Sequence, residues 1–347
     1  MGLWVSAYAI VVAISAIPLT AVLARWPKRR ALVLLLGVYA ASNAVVMVAP
    51  SFEVGLAGRV VGGVAHAGIF SVVVSAAVAL APPAKTARAV AVVNAGVAPA
   101  LALGLPAATA VGGAWGWRLP FAAATVILVL LAAITARVMP ATPQDMGPEG
   151  PSARQVLSAL RGRGLQIIGT TTVVLTVGHY TAYTYVTPVL LSAGVAQDAL
   201  SIVLLAYGVA GIGGLVLAGT FADRFPVALL RATVSVTAIA LVAIALVNQS
   251  TAAGVMAVVV WGVAFSAVPT LLNAAALRAS TVPDAAPAVV NAMFNVGIAA
   301  GAWLGGHALL VGGTDAVALV GALLVALALP LTLFGWHNRP AHQARRR

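Results

Sequence analysis

Apolar runs recur along this sequence about eleven times, near residues 3–23, 31–48, 54–80, 89–111, 119–138, 165–191, 200–222, 229–247, 251–277, 286–310 and 316–334. Each holds roughly the 20 residues that a helix rising 1.5 Å per residue needs to cross ~30 Å of hydrocarbon. The runs are continuous, whereas a lipid-facing strand alternates apolar and polar residues, so helices are expected and a barrel is not. None has the short core of a secretory signal. The predicted fold class is all-α, a polytopic membrane bundle. Hydrophobic residues make up 62% of the 347 and charged residues 7%, too little polar surface for a soluble chain. The absence of cysteine removes disulfides and thiolate metal ligands from consideration.

A formal net charge of +12 would suit a nucleic-acid partner only if it formed a patch, and it does not. Arg25, Lys28, Arg29 and Arg30 follow the first run, Lys85 and Arg88 the third, and Arg137, Arg154, Arg161 and Arg163 the fifth. Arg224 and Arg231 follow the seventh, Arg278 the ninth, and Arg339 with residues 345–347 the last. Of the 19 basic residues only Arg59 and Arg118 lie elsewhere. The positive-inside rule therefore assigns every second gap and the C-terminal tail to the cytoplasmic side of a cell (inner) membrane. The expected surroundings are a lipid bilayer and no nucleic acid.

One stretch interrupts the rhythm. Residues 139–163 carry Pro140, Pro143, Pro148 and Pro151 among glycines and arginines and read as a cytoplasmic linker. Ser152 and Gln155 have capping-box spacing ahead of Val156, Leu157 and Leu160, which predicts a short helix along the inner surface. The linker separates a half of five spans, 1–138, from a half of six, 164–347. The halves repeat at an offset of 199: Ala7-Tyr8 matches Ala206-Tyr207, and Arg25-Trp26-Pro27 matches Arg224-Phe225-Pro226. Parallel halves joined by a cytoplasmic linker are one architecture of secondary transporters.

Gly219-Thr220-Phe221-Ala222-Asp223-Arg224 fits a G-x-x-x-D-R loop pattern, and Arg59 with Gly63 fits R-x-x-x-G. With the repeat and the linker, these motifs resemble the major facilitator superfamily over essentially the whole chain. In that family the plan is six plus six helices. The resemblance places Met1 just before the second of them, so a first helix of about twenty apolar residues is expected upstream. It also implies a gating loop built from Gly219, Asp223 and Arg224, with Arg25 as its basic relic in the first half, where Ala24 replaces the acid. Gly96, Pro99, Gly104 and Pro106 are similar to a degenerate exporter signature, and the span 165–191 is similar to the branch that exports sugars, nucleosides and chloramphenicol-like drugs.

Arg59 lies inside a span, where a charge is costly and functional by default. His66 follows it by two turns on the same face and titrates near neutral pH. Proton coupling by Arg59 and His66 is expected, against an interfacial anchor and a packed imidazole. His179 and Tyr183 share a face, with Tyr180, Thr184 and Thr187 on the adjoining one, while Asn94, Asn273, Asn291 and Asn295 sit deep in spans. These are the expected substrate-cavity residues, against interhelical hydrogen bonding. All seven acids, Glu53, Asp145, Glu149, Asp198, Asp223, Asp284 and Asp315, fall in gaps.

No H-E-x-x-H, no G-x-S-x-G and no buried acid is present, which argues against an enzyme. No repeated filter or charged ring suits a channel. The reading is a monomeric secondary transporter without cofactors, exporting small drug-like, sugar or nucleoside solutes in exchange for protons. A non-transporting truncated chain and an uptake permease stay open as alternatives.

Overall fold

The computed structural model describes residues 2–23, 26–80, 93, 96–140, 162–222, 224–246, 250–280 and 286–334. Its helices are α1 Gly2–Leu23, α2 Lys28–Val48, α3 Phe52–Leu80, α4 Val97–Trp115, α5 Leu119–Val138, α6 Arg163–Tyr183, α7 Val186–Ser192, α8 Leu200–Phe221, α9 Pro226–Leu246, α10 Thr251–Ala279 and α11 Ala286–Phe334. The described residues contain no strand. Six of these helices are long and apolar enough to cross a membrane. The expected surface helix near Ser152 lies outside the described residues.

Local chemistry sets the ends. Pro226 opens α9 and Pro120 lies in the first turn of α5, where a missing N–H costs nothing. The Ser250 hydroxyl accepts from the Ala253 amide at the start of α10. Gly116 after α4 and Gly194 after α7 adopt φ of 94° and 82°, a region that favours glycine.

Three expected spans differ from the observed helices. The run 165–191 breaks into α6 and α7 at Thr184-Tyr185, because Pro188 can neither donate to the Thr184 carbonyl nor clear it. The last two runs join as α11, interrupted at Gly312 and Gly313. Gly313, at φ 70°, divides α11 into a first and a second limb.

In the first half α3 packs on α1 and α2, and α2 on α5. In the second, α10 packs on α8 and α9, α9 on α11, and α6 on α11. Shifting by 199 carries α3 onto the range of α10, α2 onto α9, α1 onto α8, and α4 and α5 onto the two limbs of α11. The halves meet through α1 against α11 and α4 against α8, which are one and the same pair under that shift. The repeat seen in four sequence identities thus organises the bundle apart from α6 and α7.

Burial is unequal between the halves. The second limb of α11 buries Val317, Ala318, Ala322, Val325, Ala328 and Thr332, whereas its counterpart α5 buries nothing. The difference is α6, whose Gly178 sits so close to the second limb that a Cβ there would meet the Val325 amide at 2.7 Å and the Gly321 carbonyl at 2.8 Å. Among the described residues no helix stands to α5 as α6 stands to that limb.

Candidate functional site

A stripe of glycine on α3 builds the first cluster. A Cβ at Gly63 would lie 2.9 Å from the Tyr8 carbonyl, one at Gly62 2.7 Å from the Ser42 hydroxyl, and one at Gly58 2.9 Å from the Val46 side chain. Only hydrogen at these positions lets α1 and α2 approach so closely. Tyr8 from α1 and Tyr39 from α2 consequently reach over α3, and their hydroxyls stand 3.0 Å apart. The Arg59 guanidinium carbon lies 4.1 Å from the centre of the Tyr8 ring. His66 stacks near both phenols, with ring centres 5.7 Å from Tyr8 and 6.0 Å from Tyr39. Its Nδ1 is enclosed and has no hydrogen-bond partner among the described residues.

The second cluster occupies the equivalent place. The Trp261 indole N–H donates to His179 Nδ1 at 3.1 Å, so a neutral His179 carries its proton on Nε2. Phe265 lies parallel to the imidazole with centres 3.3 Å apart, Tyr183 stacks at 5.1 Å, and Tyr180 meets it edge-on at 4.9 Å. Tyr207 joins through Tyr183 at 5.5 Å and Trp261 at 5.6 Å. His179 is buried, while Tyr180, Tyr183 and Tyr207 are half-buried.

These clusters are symmetry mates. A Cβ at Gly262 would meet the Tyr207 carbonyl at 2.5 Å, as one at Gly63 meets that of Tyr8. The packing exposes a stretch of the repeat that the sequence reading missed: Val60-Val61-Gly62-Gly63-Val64-Ala65-His66 against Val259-Val260-Trp261-Gly262-Val263-Ala264-Phe265. At the same offset Arg59 corresponds to Val258, His66 to Phe265 and Tyr39 to Ala238, while Tyr8 and Tyr207 are both tyrosine. Sequence reasoning also missed Tyr39, which carries no motif, and the role of Tyr8, whose only signal was its place in the repeat.

The asparagines are partly occupied. Asn273 Nδ2 donates to the Pro269 carbonyl at 2.9 Å, on the helix that Pro269 has deprived of a donor, and Asn295 Nδ2 donates to the Asn291 carbonyl at 2.9 Å. Their carboxamide oxygens keep acceptor capacity. Thr184 Oγ1 is enclosed without a partner among the described residues. Arg224 lies 5.3 Å over the Phe225 ring, and Gly219 has open space beside it. Arg25, Asn94 and Asp223 lie outside the described residues.

At the predicted cytoplasmic ends two arginines reach partner helices. Arg29 donates to the Ala136 carbonyl at the end of α5, and Arg231 donates to the Thr332 carbonyl and hydroxyl, both at 3.3 Å, at the end of α11. Each supplies a cation where last-turn carbonyls lack partners. Where the halves meet at α1 and α11, Ser6 Oγ donates to the Ala299 carbonyl at 2.8 Å, beside an apolar crevice of about 520 Å³ that includes Ile10, Ile14, Leu56 and Trp303.

A lipid-embedded bundle of two repeated halves, with its ionisable and aromatic groups gathered at equivalent internal places, is a membrane transporter. The chain belongs to the Major Facilitator Superfamily, which it matches over residues 1–286. Two proteins of Mycobacterium tuberculosis, from different strains and each named a chloramphenicol efflux pump, are 34% identical to it over 96% of this chain and 84% of their own length. The crystal structure of the human organic anion transporter MFSD10 shares its fold, with a TM-score of 0.71 at 19% identity over 95% of this chain and 83% of the other. It is a multi-pass membrane transporter of small molecules, not an enzyme.

Proposed function

We propose that the chain exports small, largely uncharged amphiphilic solutes of the chloramphenicol kind in exchange for protons, as a monomer in the inner membrane with its linker and tail in the cytoplasm. The halves 1–138 and 164–347 exchange access to the two sides by rocking against each other. The observation that carries this reading is the division of chemistry between equivalent places. Arg59 and His66 stand in the first half where Val258 and Phe265 stand in the second, so charge and proton exchange belong to one half. The half-buried rings of Tyr180, Tyr183 and Tyr207 belong to the other.

In this scheme His66 takes and releases the proton, and Arg59 supplies the fixed charge that distinguishes its two states. An aromatic solute stacks on the tyrosines, each aromatic pair contributing about 1 kcal/mol beyond burial. Its hydroxyls donate to the carboxamide oxygens of Asn273, Asn291 and Asn295, with Asn94 on the facing half. His179, already accepting from Trp261, holds the tyrosine platform in place. Gly219, Asp223, Arg224 and Arg25 form the inner gating loops. The relatives' names, chloramphenicol efflux pumps, support the direction and the solute class.

The test is uptake of radiolabelled chloramphenicol into inside-out proteoliposomes with an imposed inward-acid gradient. Accumulation that collapses with a protonophore is expected. Uptake no greater than in protein-free vesicles would refute the proposal, and accumulation only under the reversed gradient would make the chain an importer.

A further inference from the structure

We propose that Tyr8 is a positioning residue for Arg59: its ring face holds the guanidinium inside the bundle, and the Tyr39 hydroxyl fixes the ring. This rests on the reading of Arg59 as part of the proton-coupling machinery.

Arg59 lies seven residues into α3, about 10 Å from its outer end at 1.5 Å per residue, and a long cationic side chain at that depth reaches for the interface unless something holds it. The holder in the structure is a π face 4.1 Å away. Tyr8 cannot easily yield, because its carbonyl packs on Gly63, with only 2.9 Å left for a Cβ there, and its hydroxyl meets that of Tyr39. His66 stacks near the same ring, so one phenol touches both residues assigned to the proton. The titratable groups facing this site are Tyr8 from α1, Tyr39 from α2 and Arg59 with His66 on α3. No carboxylate occurs in α1, in α2 or in the first limb of α11, which packs on α1.

The internal mate makes the inference specific. Tyr207 has the same backbone packing on Gly262, but the position matching Arg59 is Val258. A tyrosine kept only for packing would behave alike in both halves. A tyrosine that seats a cation would not.

The experiment replaces Tyr8 with Phe and then with mono-, di- and trifluorinated Phe, which keep the ring's shape while draining its π face, and measures chloramphenicol transport in proteoliposomes across pH 5.5–8. Arg59→Ala and the same series at Tyr207 run alongside, and Tyr8→Leu removes the ring altogether. The expected result is a stepwise fall in maximal rate with each fluorine at position 8, reaching roughly tenfold, a displaced pH midpoint, and little change in KM. The Tyr207 series should instead move KM and leave the pH midpoint in place. Because the fluorinated rings are nearly isosteric, misfolding of Tyr8→Leu alone would not spoil the comparison. An inert Arg59→Ala with a flat fluorine series at position 8 would overturn this inference while sparing the efflux reading. Wild-type vesicles without any chloramphenicol flux would overturn both.

Discussion

Gly63→Ala is the sharpest probe of the bundle, because the two halves and the lipid-facing glycines supply their own controls. A Cβ at Gly63 would stand 2.9 Å from the Tyr8 carbonyl and 3.2 Å from the Val11 side chain, and one at Gly262 2.5 Å from the Tyr207 carbonyl and 2.9 Å from its ring. Backbone oxygen cannot step aside as a flexible side-chain tip can, so each helix pair must separate. Overpacking of this kind costs about 1–3 kcal/mol. Opposing it is the gain of about 1 kcal/mol from replacing glycine inside a helix, which leaves a net loss of up to about 2 kcal/mol at Gly63, and the shorter contact predicts a larger loss at Gly262. Gly104 and Gly213 have nothing within 4 Å, so alanine there should be neutral or stabilising. Thermal unfolding in detergent, followed by tryptophan fluorescence, should order the variants as Gly213→Ala and Gly104→Ala, then wild type, then Gly63→Ala, then Gly262→Ala. At roughly 2 °C per kcal/mol the span is a few degrees. Gly63→Ala melting with Gly104→Ala would sink the claim that α3 seats α1 by the absence of a side chain.

Trp261→Phe keeps the aromatic packing but leaves buried His179 Nδ1 without its donor, and should lower stability by about 1–3 kcal/mol; an unchanged melting curve would mean that the bond is not formed. His66→Ala should flatten the dependence of transport on pH between about 5.5 and 7.5, where an imidazole titrates, and an unaltered profile would reduce His66 to packing. Gly147→Cys and Arg346→Cys, made singly in this cysteine-free chain, should resist an impermeant maleimide in intact cells, and labelling of both would invert the predicted orientation.

What was legible in the sequence follows from what lipid forbids. A backbone in hydrocarbon must bond within its own helix, so the runs had to be helices, and most ends fell within a few residues. Departures came where a single residue acts at a distance along the chain. Pro188 breaks the helix four residues upstream of itself, and an apolar run cannot show this. The repeat was visible at Tyr8 and Tyr207, yet its longest stretch passed unnoticed because His66 and Phe265, or Gly62 and Trp261, share no chemistry. What they share is a place in the packing. Arg59 and His66 stood out as polar residues in apolar surroundings, whereas their contacts did not. Tyr39 lies on another helix, and only the approach allowed by Gly62 and Gly63 brings it to the cluster.

Lipid also decides which oddities of the structure need a reason. Apolar surface left exposed on α5 costs little, since hydrocarbon solvates it as well as another helix would. An enclosed polar atom without a partner is different, because nothing in its surroundings replaces water. Five such atoms occur among the described residues: Trp4 Nε1, His66 Nδ1, and the hydroxyls of Thr176, Thr184 and Thr237. A threonine hydroxyl can turn to the carbonyl four residues back, as Thr171, Thr172 and Thr181 do at 2.7–2.8 Å, so the three hydroxyls have a remedy close by. Trp4 lies in the first turn of α1, at the predicted outer interface where indoles are commonly found. His66 has neither remedy, being two turns deeper than Arg59 and held between aromatic neighbours. His179, the other imidazole enclosed by aromatic rings, has spent the same nitrogen on Trp261. The proposed proton exchange needs a nitrogen that is not already committed, and of these two imidazoles His66 is the one whose Nδ1 has no partner among the described residues.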